Sequence, residues 1–323
     1  MPKTHKPRAG SLQFWPRKRA TRILSSANWK PLQKKHSGLL GFICYKVGMI
    51  RVLARDLTPN SMTKNKQIII PSTFVGCPPM RILAVRFYKD DMVVFDILNE
   101  NLDKELKRKI KLPKEKSKIG KRLVEVEKKI NEFDDIRLLV YTLPKETGLK
   151  KTPDIAEIGL GGSNSEKLDF VKKYISKDIK MVDFLKSGQV VDVRGVTKGH
   201  GFTGPVKRFK IGLRQHKSEK GRRRPGSVGP WTPSRITFRA PMAGQYGFFS
   251  RIQYNSKLLS SGSARDIEKF SFEFPHYGKI KTNYIIIRGS IHGPAKRQLL
   301  LTLPLRETRS ATKKNFEILN LLK

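Results

Sequence analysis

Between Leu39 and about Phe95 the apolar residues fall in short dense runs, GLLGFICYKVGMI, QIIIPSTFV, RILAVRFY and MVVFDIL, divided by Gly, Pro and Asp clusters. Runs of that length, rich in β-branched and aromatic residues, predict strands of a small barrel or sandwich. The period then changes. Leu102, Leu106 and Ile110 lie four apart, and Leu123, Val126 and Ile130 follow at helical spacing after Pro113, so Asn101 to Glu132 is predicted partly helical. Ile136 to Leu143 reads as a strand. Ser163 with Glu166 three residues later is a capping-box pattern, opening a helix that carries Leu168, Val171 and Ile175 on one face. Helices alternating with strands predict a small α/β insertion in the β domain. Strand character returns at Ser187 to Thr197 and again after Arg251, in RIQYNSKLL, KFSFEFPHYG, NYIIIRGSI and QLLLTL. Lys313 to Lys323 is expected to form a short terminal helix.

The stretch from Arg194 to Arg251 interrupts this pattern. It holds fourteen Lys and Arg residues against one acid, Glu219, and its glycines and prolines break every periodicity. Such a segment has few apolar residues with which to build a core, so its order must come from a partner. It is a long excursion that leaves one strand and returns to the next, and excursions of this length are functional or disordered.

Charge extends the picture. The 323 residues carry 67 Lys and Arg against 27 Asp and Glu, a net +40, of which +26 lies on 113 residues in Met1 to Arg55 and Arg194 to Arg251. A fold so charged calls for a polyanion, and nucleic acid is the abundant one. A membrane surface fits poorly, because the cations do not line one long amphipathic helix, and no apolar run approaches a bilayer span. The N-terminus has charges and prolines where a signal peptide would be apolar, and Cys44 and Cys77 make neither a disulfide framework nor a zinc motif, so a soluble protein of a reducing compartment is expected.

The candidate chemistry is that of binding. Phe14, Trp15 and Trp29 are interleaved with Arg17, Lys18 and Arg19, which suits stacking on bases beside phosphate contacts, or else marks a tail with a few anchoring aromatics. Arg222, Arg223 and Arg224 can bridge several phosphates, while Gly226, Gly229, Pro230 and Pro233 form a narrow tip presenting Trp231, as a stacking ring or as a local anchor. Gly199, Gly201 and Gly204 spell GxGxxG, but Pro205 and KRFK stand where the helix of a dinucleotide fold should begin, and no acid sits at the ribose spacing. Glycines that admit a phosphate backbone closely are the better account. The six histidines show no metal-ligand spacing, and no nucleophile, carboxylate pair or phosphate loop stands out. An RNA-modifying enzyme with a basic channel and a DNA-packaging protein remain as rivals.

PRAGSLQFWPRKRA near the N-terminus, then GVTKGHGFTGPVKR, RRRPGSVGPWTPSR and AGQYGFFSRIQYN in that order, closely resemble the universal large-subunit ribosomal protein L-three family in its archaeal and eukaryotic branch. The likeness covers nearly the whole chain, and the short C-terminus points to the archaeal side. The resemblance implies a mainly β fold: a translation-factor-like β-barrel with an α/β insertion, a long irregular basic finger loop and a basic N-terminal extension. The parts are expected at 1–38 (extension), 39–80 with 181–312 (barrel), 194–251 (finger), 81–180 (insertion) and 313–323 (tail). It implies a structural, non-enzymatic protein of the cytoplasmic large ribosomal subunit, bound to large-subunit rRNA and neighbouring ribosomal proteins. No cofactor, small-molecule substrate or membrane is involved. The finger would reach toward the peptidyl-transferase centre, with Trp231 at its tip and Arg223 in its basic stem, and the family takes part in early assembly. Glu219 stands where some eukaryotic members have histidine, so a role assigned to that histidine does not carry over.

The residues expected to touch rRNA are Lys198, Gly199, His200, Gly201, Gly204, Lys207, Arg208, Arg214, Arg222, Arg223, Arg224, Trp231, Arg235, Gln245 and Arg251 in the finger. In the extension they are Arg8, Phe14, Trp15, Arg17, Lys18, Arg19 and Arg22.

Overall fold

The computed structural model describes residues 10–114, 119–268 and 273–322. With 37% of the chain in strands and 18% in helices, the fold is mainly β. Its first strands are β1 (Gly38–Leu39), β2 (Gly41–Asp56), β3 (Gln67–Gly76), β4 (Met80–Lys89) and β5 (Met92–Leu98). Then come β6 (Asp135–Thr142), β7 (Ile155–Gly161), β8 (Val190–Val196), β9 (Gly199–Thr203), β10 (Gly244–Gly247) and β11 (Ser250–Gly262). β12 (Glu273–Phe274), β13 (Gly278–Lys279), β14 (Tyr284–Arg288), β15 (Gln298–Thr302) and β16 (Phe316–Leu322) complete the set. The chain divides into two compact units, Ile23–Gly195 with Ile252–Lys323, and the residues up to Arg22 with Val196–Arg251.

In the larger unit one sheet runs β15-β8-β11-β14-β3-β2-β16, and β15 also pairs with β2. The second sheet runs β1-β7-β6-β4-β5. β2 shows why the two sheets share a core. Its first seven residues, Gly41 to Val47, are all buried, whereas buried and more exposed positions alternate toward Asp56. A strand covered on both faces needs a continuous apolar run, and one covered on a single face needs alternation. Phe42 and Ile43 of β2 accordingly join Ile82 and Phe87 of β4, Leu138 and Val140 of β6 and Leu299 to Leu301 of β15 in one apolar cluster.

The helix Asn164–Tyr174 begins as the capping box predicts: the Glu166 amide donates to Ser163 Oγ at 3.4 Å and the Ser163 amide donates to Glu166 Oε2 at 3.2 Å. Leu168 and Val171 face the core. The Leu102, Leu106, Ile110 spacing yields only a 3₁₀ turn, Lys104–Arg108, in which Leu106 is buried against Leu83 and Tyr141. Pro113, five residues beyond, keeps a helix from growing in that direction. Of KFSFEFPHYG, residues 269–272 lie outside the described residues, and Glu273–Phe274 pairs with Gly278–Lys279.

Two expectations are corrected. The chain's end is not a helix: after a short helix at Arg309–Lys313, β16 runs antiparallel to β2 from Phe316 against Asp56 to Leu322 against Arg51. Pairing to a long strand with a free edge outweighs weak helical spacing in so short a segment. Trp29 is no surface ring for stacking on bases. It is 2% exposed, and a Cβ on Gly159 would come within 2.7 Å of its own Cβ, so the indole is packed against bare glycine backbone.

Candidate nucleic-acid interface

The smaller unit is built on a two-stranded ribbon. β9 and β10 pair antiparallel with Thr203 opposite Gly244 and Phe202 opposite Gln245, and a bulge in β9, where His200 and Gly201 face the single Tyr246, brings Gly199 opposite Gly247. Three contacts set its shape. His200 and Tyr246 stack with ring centroids 5.1 Å apart. Gln245 Nε2 donates to the Gly247 carbonyl at 2.9 Å, and the Phe248 amide donates to the Lys198 carbonyl at 3.0 Å. Gly247 has φ +69°, and a Cβ there would lie 2.0 Å from the Lys198 carbonyl oxygen, so only glycine fits. The sequence therefore reads as irregular over a segment whose two ends are paired, because glycine-rich strands carry almost no apolar alternation.

Gly204 precedes a one-turn helix, Pro205–Phe209, whose proline at the start needs no amide partner and whose Phe209 is fully buried. Arg208 on this turn folds inward: its Nε donates to the Gln245 carbonyl at 3.0 Å and an η nitrogen to that of Met242 at 2.8 Å. Burial draws its pKa below the usual guanidinium value.

The N-terminal extension packs on the same elements. The Trp15 indole stacks on Phe209 at 6.1 Å between centroids and meets Phe238 edge-on at 5.6 Å. The Arg17 guanidinium lies 4.4 Å from the Phe209 centroid and donates to the Arg208 carbonyl at 3.4 Å. Arg19 covers Phe248 at 4.9 Å, and the Ala20 amide donates to the Phe248 carbonyl at 2.8 Å. Arg251 sits 4.4 Å over Phe14. These are cation–π pairs with a protein ring as acceptor. Lys18 and Arg22 are exposed, and Arg8 lies outside the described residues.

From Lys210 to Ala243 there is neither helix nor strand. Arginines brace this stretch: Arg214 donates to the Pro225 carbonyl at 2.8 Å, its amide to the Arg222 carbonyl at 3.2 Å, and Arg222 Nε to the Arg214 carbonyl at 3.3 Å. Arg223, Arg224 and Arg235 stand exposed beyond this brace, and Trp231 is 94% exposed. Lys198, Gly199, His200, Gly201 and Lys207 are exposed on the ribbon and its helix. Glu219 is the one carboxylate side chain of residues 1–22 and 196–251, so these cations far outnumber any partner within the unit.

The geometry thus separates cations that hold the unit together from those it presents outward, around one fully presented indole. The whole-chain comparison is as clear: residues 1–320 match the family model described as ribosomal protein L3. The chain belongs to the ribosomal protein L3 family. Among similar proteins, the large ribosomal subunit protein uL3 of Methanobrevibacter smithii is 38% identical over 316 residues, covering 95% of this chain and 94% of that one. The uL3 of Methanocaldococcus jannaschii is 37% identical over 311 residues, covering 94% and 92%. That of Archaeoglobus fulgidus is 36% identical over 317 residues, covering 95% and 94%.

Two things escape a sequence reading of this L3-family chain. One is Phe202, 81% exposed on β9. Its signal is a lone aromatic inside a glycine run, where the GxGxxG spacing draws attention to the glycines instead. The other is the use of Trp15, Arg17 and Phe209 as a joint, which depends on residues far apart in the chain.

Proposed function

We propose that this chain is a structural constituent of the large ribosomal subunit in the cytoplasm, not an enzyme, and that it binds large-subunit rRNA chiefly through its smaller unit. The observation that carries this is the unit's makeup: a single acid, a backbone braced by Arg214 and Arg222, and Arg223, Arg224, Arg235 and Trp231 standing in solvent. Cations on an irregular extended segment suit RNA, which is read through shape, phosphates and 2′-hydroxyls more than by a helix in a groove. In this reading Arg223 and Arg224 clamp phosphates together with the η nitrogens of Arg222, whose Nε alone serves the brace, Gly199, Gly201 and Gly204 admit the RNA backbone, and Trp231 stacks at the tip of a finger near the peptidyl-transferase centre. The extension, through Arg8, Lys18, Arg19 and Arg22, adds phosphate contacts and supports assembly of the subunit with neighbouring ribosomal proteins.

Pairing of β15 with both β8 and β2 supports a closed barrel of the translation-factor type, formed from residues 39–80 and 181–312 with 81–180 inserted. β8 and β11 are neighbours in that sheet, so the finger leaves and re-enters between adjacent strands.

The test is the salt dependence of binding to a large-subunit rRNA transcript. With about ten phosphate contacts, log affinity falls against log salt with a slope of roughly −7 to −9. A slope near zero, or tagged protein that fails to sediment with large subunits, rejects the reading.

A further inference from the structure

We infer that Phe202 is a second stacking site, which takes an unstacked RNA base on the β9–β10 ribbon, separate in the chain from Trp231. The inference rests on the rRNA reading above and deepens it. The ring is 81% exposed, in contrast to Phe209 of the same unit, which is fully buried. Phe14, Phe209, Phe238, Phe248 and Phe249 of this unit each face a guanidinium group, whereas no such ring or guanidinium contact is formed by Phe202 among the described residues.

An exposed phenyl on a mobile loop would mean little, but this one sits on a defined scaffold. Phe202 is opposite Gln245, whose side chain is tied to the Gly247 carbonyl, and the neighbouring His200 is stacked on Tyr246. Around it the backbone is bare: a Cβ added at Gly201 or Gly204 would meet no atom within 4 Å, leaving room for a planar ligand. Exposed Lys198 and Lys207 flank it in sequence, and no carboxylate lies in β9, β10 or the turn between Gly204 and Lys210. A preformed aromatic platform within a cationic surface is the arrangement that holds single-stranded bases, since every base offers a π-face and the phosphates beside it need cations. One ring is too little apolar surface for a membrane, and the surrounding charge disfavours an apolar protein patch.

The test uses the full chain and a large-subunit rRNA transcript, with binding isotherms across a salt series. Phe202→Ala and Phe202→Leu are expected to weaken binding about 5- to 100-fold with the salt slope unchanged, and Phe202→Tyr to bind as wild type, because stacking is lost while phosphate contacts remain. A 4-thiouridine-substituted transcript should cross-link to the peptide containing Phe202. Exchange of the Phe248 amide, bonded to the Lys198 carbonyl, shows whether the ribbon survives each substitution. Binding of Phe202→Ala within twofold of a wild type that binds normally overturns the inference and leaves the rRNA reading intact. So does a loss that Phe202→Leu does not share, a loss that comes with a deprotected Phe248 amide, or a transcript that cross-links to this chain only at peptides other than the one containing Phe202. A wild-type chain that does not bind the transcript overturns both.

Discussion

The indole of Trp15 lies nearly parallel to the ring of Phe209, with 9° between planes and 6.1 Å between centroids. The contact joins the N-terminal extension to the one-turn helix at the start of the finger, and the Arg17 guanidinium covers the same Phe209 ring. Aromatic pairs of this kind couple by about 0.5–1.5 kcal/mol beyond their area. Trp15→Ala and Phe209→Ala combined in a double-mutant cycle should show a coupling of that size. Each single variant should speed amide exchange in residues 196–251 and leave that of the larger unit unchanged.

Gly247 is the tightest backbone position of the ribbon, since its φ is +69° and the Lys198 carbonyl occupies the place of a side chain. Gly247→Ala should cost about 1–3 kcal/mol locally and open the β9–β10 pairing. Loss of protection at the Phe248 amide, which bonds to the Lys198 carbonyl, is the measurement.

Arg214 and Arg223 should behave differently although both are cations of one stretch. Arg214 is committed to the Pro225 carbonyl, and Arg223 is exposed. Arg223→Ala and Arg224→Ala should each reduce the steepness of the salt slope by about 0.7–0.9 while leaving proteolysis of the free protein unchanged. Arg214→Ala should instead raise proteolytic cutting between Lys210 and Ala243. Identical behaviour of the variants would remove the division into bracing and presented cations.

Trp231 contributes nothing to packing at 94% exposure, so Trp231→Ala should leave thermal stability within about 0.5 kcal/mol of wild type. In ribosomes carrying the variant, chemical probing of the rRNA around the peptidyl-transferase region should change. An unaltered probing pattern would remove Trp231 from the tip role.

Asp135 contributes to acid stability in the larger unit. Burial pushes its pKa up, but hydrogen bonds from Gln33, Lys167 and Arg137 outweigh burial and hold it below the usual carboxylate value. A carboxyl lowered in the folded state adds stability above its unfolded pKa of about 3.9, and that stability is lost as pH falls through the folded value. Its loss therefore begins below about pH 4. Lys167 Nζ, 2.7 Å away with 6% of its side chain exposed, loses its counter-charge in Asp135→Asn. That variant should be destabilised by roughly 3–5 kcal/mol at pH 7 and show a flatter stability profile below pH 4. Urea unfolding at pH 7 and pH 3 reads both.

Much of the larger unit is legible in one dimension, because each signal is local. The apolar, β-branched runs of β2, β3, β14 and β15 and the Ser163 and Glu166 pair report their own elements through composition and capping, whatever surrounds them. β16 was not legible: its seven residues suit either a helix or a strand, and the free edge of β2 decides. The family, too, can be read from motifs that keep their order along the chain.

Within the smaller unit, composition alone determines that residues 194–251 and the N-terminus are cationic and poor in core, hence suited to a polyanion. What the cations do individually depends on neighbours far away in sequence. Arg17, Arg208 and Arg214 spend their guanidinium groups on protein carbonyls and rings, Trp29 is swallowed by a glycine-lined core, and Trp231 and Phe202 are left in solvent. Charge is a property of each residue and survives any folding, so the sequence by itself names the partner class. Exposure is a property of packing between distant segments, so only the tertiary structure separates the groups that build the surface from those that it offers.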